Sequence, residues 1–130
     1  MPIRIVRLGS PRAKGEGLRL GTVRRPPRGV PKDQFAARDF YDVWFPNLSP
    51  TEPLLKASFP IKDDGAWKVF RRKFLSELKS PAVRSDLELL AALSHHTSFA
   101  IGCYCEDETH CHRSILRELL EELGADVADR

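Results

Sequence analysis

"TSFAIGCYCEDETHCHRSILRELLEELG" (97–124) is the stretch on which the fold turns. Its first nine residues are nearly all apolar, as in a strand buried inside a parallel sheet. From about Thr109 to Leu123, Ile115, Leu116, Leu119, Leu120 and Leu123 recur at helical spacing, and Gly124 supplies a stop. Thr109 is the expected N-cap. A buried strand that turns directly into an amphipathic helix is a building unit of parallel α/β sheets.

Working outward, "IRIVRL" (3–8) and "LRLGTV" (18–23) read as strands, with the glycine-punctuated "GSPRAKGEG" (9–17) between them. "RRPPRGVPK" (24–32), with three prolines, cannot be regular structure. Phe35, Ala36, Phe40, Val43 and Trp44 are spaced for a helix that starts near Asp33 and ends before Pro46. Ser49 followed by Pro50 is expected to open another helix. Asp63 or Asp64 caps a stronger helix with Trp67, Phe70, Phe74, Leu75 and Leu78 on one stripe. Ser80–Pro81 repeats the cap signal before a helix that carries Leu87, Leu90 and Leu93 to about Ser94. These elements predict one α/β domain over residues 1–130: a small layered fold with a largely parallel sheet flanked by helices.

The composition agrees. A chain of 130 residues, 42% hydrophobic and 30% charged, can bury a core without disulfides. No apolar run approaches the length of a membrane span, and no secretory signal opens the chain. Three cysteines within nine positions are not a secreted disulfide framework, so a cytoplasmic location with reduced thiols is expected. The net charge of +3 hides an asymmetry. Residues 1–32 carry nine Lys/Arg against Glu16 alone, whereas the rest carries twelve basic and seventeen acidic groups. Such a segment is either a solvated face or a site for an anionic small molecule or nucleic acid. No helix-turn-helix or zinc-finger pattern is present.

"CYCEDETHCHR" (103–113) concentrates the chemistry. On an extended strand, Cys103 and Cys105 would share a face about 6.6 Å apart. A disulfide needs Cβ atoms about 3.8 Å apart, so Cys111 is the better partner for either. A Cys-x₅-Arg phosphatase loop is excluded, because Thr109 and Cys111 stand six residues after Cys103 and Cys105. The leading reading is an anion site at the start of the last helix, where free backbone N–H groups meet the helix dipole. Arg24, Arg28, His112, Arg113 and Ser114 would hold the anion, with no cofactor and no metal. For an enzyme, His112 is the candidate acid/base and Cys103 or Cys111 the nucleophile.

Two other classes compete. One is a thiol redox or metal-binding protein using Cys103, Cys105 and Cys111, although Cys-x-Cys-x₅-Cys-His lacks the paired spacing of structural zinc sites. The other is a non-catalytic interaction module that docks through the basic, amphipathic "WKVFRRKFLSELKS" (67–80).

"VRRPPRGV" (23–30), "WFPNLSPTEPL" (44–54), "WKVFRRKFLSEL" (67–78) and "CYCEDETHCHRSIL" (103–116) resemble, in order, segments of the YeaO-like family, a domain of unknown function. The likeness spans most of residues 3–123 and is most specific at Cys111-His112-Arg113 and at Arg24, Pro27, Arg28 and Gly29. It implies a compact α/β fold and a bacterial or archaeal origin, with no established reaction. Val23 stands where such chains usually carry Asp, and Pro26 where they usually carry Trp. The first departure removes the obvious carboxylate from any family-type catalysis.

Overall fold

The computed structural model describes residues 2–129. Four parallel strands, β1 (Ile3–Arg7), β2 (Leu18–Gly21), β3 (Val43–Trp44) and β4 (Phe99–Cys103), form one sheet in the order β1-β4-β2-β3. Four α-helices complete the small α/β domain: α1 (Glu52–Ser58), α2 (Asp64–Glu77), α3 (Pro81–Leu93) and α4 (His112–Glu122). Strand β4 lies between β1 and β2 with Ile101 beside both Ile5 and Leu20, and all five of its residues are buried. That explains its unbroken apolar run, since a strand flanked on both edges and covered on both faces has no solvent side.

Alternation sorts the strand side chains. Ile3, Ile5, Leu20, Phe99 and Ile101 pack with Phe70, Phe74, Leu87, Leu116 and Leu120 of the helices. The opposite face is covered by loops, which Gly21 and Gly102 allow to come close. A Cβ on Gly102 would stand 2.6 Å from Leu8 Cδ2 and 2.9 Å from the Val6 carbonyl oxygen, and one on Gly21 would run into the Tyr41 ring. Arg19 projects into this layer fully buried, with its guanidinium on both Glu16 oxygens (2.9 and 3.1 Å) and on the Ser10 and Asp39 carbonyls (2.8 and 2.7 Å).

The helix expected from Asp33 to Trp44 is not formed. One 3₁₀ turn, Lys32–Gln34, runs on to Asp39, whose positive φ of 63° ends it. Phe40 N–H donates to the Phe35 carbonyl and Asp39 N–H to that of Ala36, a Schellman stop around a left-handed residue. Val43 and Trp44 then extend as β3, in register with Leu20 and Gly21. Asp42 fixes that register: its carboxylate accepts from Arg19 N–H at 2.7 Å and its own N–H donates to the Arg19 carbonyl at 2.8 Å.

Three boundaries also move. Helix α1 is preceded by Thr51 rather than Ser49, with Pro53 rather than Pro50 in its first turn. Thr109 lies inside a 3₁₀ turn, Glu108–His110, held by the Asp107 carboxylate, and the N-cap of α4 is Cys111. The strand expected to reach Cys105 ends at Cys103. Asp63 and Ser80 cap α2 and α3 as expected, accepting from the N–H groups of Ala66 and Val83. Gly124, at φ 82°, follows α4.

Candidate thiol and anion site

Because β4 stops at Cys103, the chain folds back on itself and the two cysteines do not keep a strand spacing. Cys103 and Cys105 Sγ lie 3.7 Å apart. Residue 111 caps α4 at the carboxyl end of the sheet, which carries the third thiol to the same place. Cys103 Sγ, Cys111 Sγ and a ring nitrogen of His112 all fall within 4.8 Å of one another. All three cysteines are free.

His112 is held by its far side. Its Nε2 lies 2.6 Å from the carbonyl oxygen of Thr22, just past β2, and its Nδ1 lies 3.9 Å from Cys111 Sγ. A carbonyl can only accept, so Nε2 carries the proton and Nδ1 presents its lone pair toward the thiols. Burial pushes the imidazole pKa down to about 4, against the bond to Thr22, and the nearby Arg113 and Arg24 charges push the same way. His112 is therefore neutral near pH 7 and brings no positive charge to a ligand.

The three thiols shift one another's acidity in opposite directions. Hydrogen bonds from Cys105 and then Cys111 hold Cys103 well below the ordinary thiol range, with further help from the Arg113 charge. Cys105 and Cys111 are pushed up, chiefly because each donates to Cys103.

This cluster forms part of the wall of a cavity of about 450 Å³, whose lining includes Cys103, Cys105, His112, Arg24, Phe59 and Tyr104. Arg24 leaves β2 toward this cavity. Its Nε and Nη2 donate to the carbonyls of Pro50 and Ser49 at 3.2 and 3.0 Å. Among the described residues no carboxylate forms an ion pair with it. The pairing is different for Arg7, Arg12, Arg19 and Arg25, which meet Glu106, Asp39 and Asp42, Glu16, and Glu52. Much of the basic N-terminal third is thus internally neutralised.

The remaining predicted residues are distributed around this centre. Arg28 lines a neighbouring cleft with Phe40 and Tyr104. Arg113 is buried behind the cysteine turn, donating to the carbonyls of Cys105 at 2.6 Å and Glu106 at 3.5 Å. Its Nε is a buried side-chain nitrogen with no partner among the described residues. The Ser114 hydroxyl donates to the Cys111 carbonyl at 2.8 Å. Cys111 is fully buried. Sequence reasoning missed Thr22, whose carbonyl orients His112, and Tyr104, whose hydroxyl donates to the Arg25 carbonyl at 2.9 Å across the cavity wall. A backbone carbonyl leaves no sequence signal. Tyr104 stood in plain view between two cysteines.

The fold and site define a small parallel α/β domain with a cysteine–histidine centre at the carboxyl end of its sheet. The chain belongs to the DUF488-N3a family, the active DUF488-N3 subclade, whose profile matches residues 3–124. That family is a domain of unknown function. No curated protein and no solved structure matches the chain. Among the described residues no helix is long and apolar enough to cross a membrane.

Proposed function

We propose that the cavity binds a small anionic molecule with an apolar body, a phosphate ester such as a nucleotide being the fitting class. Arg24 takes the anion and the thiol centre meets the other end of the ligand. The observation that carries this reading is Arg24 itself: a guanidinium without a carboxylate partner among the described residues, lining the same cavity as Cys103, Cys105 and His112. A cavity of about 450 Å³ is in the range that accommodates a small ligand or mononucleotide. The apolar walls from Phe59, Leu55 and Val23 favour a ring or chain over a bare ion. Arg25, Glu52 and Lys56 also line it, and the first two pair with each other, so among the described residues Arg24 and Lys56 supply its remaining positive charge.

The position, beyond the carboxyl ends of β2 and β4, is where open α/β sheets bind ligands. The family match over residues 3–124 takes in both Arg24 and His112. A reducing cytoplasm would keep the three thiols free for such a role.

The test is calorimetric titration with phenyl phosphate and with its uncharged counterpart, phenol, for wild type and Arg24→Ala. Wild type is expected to prefer phenyl phosphate, and Arg24→Ala to lose roughly tenfold or more of that affinity, the worth of a charge-assisted hydrogen bond. Equal binding of both compounds by the wild-type protein would refute the anion reading even if the variant were unstable.

A further inference from the structure

The geometry points to a zinc site: we propose that Cys103, Cys111 and His112 bind one Zn²⁺, with Cys105 as the fourth ligand. This site is separate from the proposed anion contact and does not involve Arg24.

Tetrahedral zinc with Zn–S near 2.3 Å and Zn–N near 2.0–2.1 Å requires sulfur atoms about 3.8 Å apart and sulfur–nitrogen pairs about 3.6 Å apart. Cys103 and Cys105 Sγ are 3.7 Å apart, and Cys111 Sγ lies 3.9 Å from His112 Nδ1. Donor atoms of Cys103, Cys111 and His112 all fall within 4.8 Å of one another, so small side-chain shifts bring them onto one ion.

The histidine is prepared in the way ligating histidines usually are. Its outer N–H is committed to a carbonyl, that of Thr22, which fixes the ring and leaves the inner lone pair facing the thiols. Phe74 packs edge-on against the same ring, with centroids 5.8 Å apart, and limits its rotation. A buried cysteine by itself is only a small hydrophobe. Three of them converging with a correctly presented imidazole form a soft-donor set, and thiolate with imidazole selects zinc over magnesium or calcium.

Along the sequence, Cys-x-Cys-x₅-Cys-His lacks the paired spacing of structural zinc sites. In the fold, the chain turn after Cys103 brings the Cys103 and Cys105 sulfurs to 3.7 Å, so these two form one pair. Cys111 and His112 supply the second pair from the start of α4, so two elements grip the ion as in structural zinc sites. Cys105, only partly buried, on the cavity wall and with its sulfur 3.7 Å from that of Cys103, is the thiol placed to take the fourth position from the cavity side.

The test adds Zn²⁺ alone to the reduced full-length protein, measures bound metal after gel filtration, and counts alkylatable thiols by mass spectrometry with and without zinc. One zinc per chain is expected, with all three cysteines protected from iodoacetamide. Cobalt in its place should give the intense near-ultraviolet thiolate-to-metal band of a tetrahedral site. Cys111→Ser and Cys103→Ser should each lose stoichiometric binding. No bound zinc in wild type, or zinc that leaves the thiols as reactive as before, overturns the assignment, and both readings use the unaltered chain. Phenyl phosphate titration of the metal-free protein reports on the Arg24 reading separately, so the two proposals fail independently.

Discussion

Arg19 and Arg24 sit near each other in sequence and have opposite tasks. Arg19 is fully buried and saturated by Glu16 and two carbonyls, so it organises the loop layer over the sheet. Arg24 donates to the Pro50 and Ser49 carbonyls and lines the cavity. The acid partner of Arg19 gives this pair a pH signature. Burial alone would raise the Glu16 carboxyl, but the hydrogen bonds from Arg19 and Ala13 and the Arg19 charge outweigh it, and the net shift is downward. Asp42 is lowered in the same way, its burial outweighed by Arg12 and by the Arg19 N–H. A carboxyl whose folded value lies below its unfolded value stabilises the fold fully above the unfolded range. That contribution is lost as pH falls through the folded value. Urea midpoints should therefore drop as pH is lowered from about 6 to about 3.5. Glu16→Gln should be less stable at the higher pH and show a flatter decline. A parallel decline in variant and wild type would show that Glu16 does not contribute.

At the scale of elements, the caps of α2 and α3 and the last strand–turn–helix were legible because their signals are local. Asp63 accepts from Ala66 N–H at 2.8 Å, satisfying one of the free donors at the start of α2. Asp63→Ala should cost about 1 kcal/mol of unfolding free energy, within roughly 0.5–2, measured by chemical denaturation. No change would mean that water satisfies that end of the helix equally well.

What sequence could not show was set by contacts distant along the chain. Phe35, Phe40, Val43 and Trp44 fit a helical stripe, yet Asp39 in the left-handed region and the Asp42–Arg19 pairing turn the segment into a stop followed by an edge strand. Short apolar spacings do not distinguish these outcomes. Thr109 looked like the cap, but Asp107 captured the local N–H groups first. The cysteine cluster was legible as a grouping and not as a geometry. Its closeness depends on β4 ending at Cys103, a break that nothing as strong as a proline or glycine announces.

Over the whole molecule, the parallel order β1-β4-β2-β3 sets the ends of β2 and β4 side by side, and four separate sequence segments line one cavity there. Residues past β2 contribute Arg24, α1 and its end contribute Leu55 and Phe59, the turn past β4 contributes Cys103 and Cys105, and the start of α4 contributes His112, oriented by the Thr22 carbonyl. The central claim is that these segments form one anion-binding, thiol-lined site. Chemical-shift mapping of ¹⁵N-labelled, metal-free protein during titration with phenyl phosphate tests this most directly. Saturable shifts should concentrate at residues 22–25 and 103–105 together, with 112 following through the Thr22 contact. Shifts confined to the basic groove of Lys68, Arg71, Arg72, Lys79 and Arg84, or none at high ligand concentration, would contradict it.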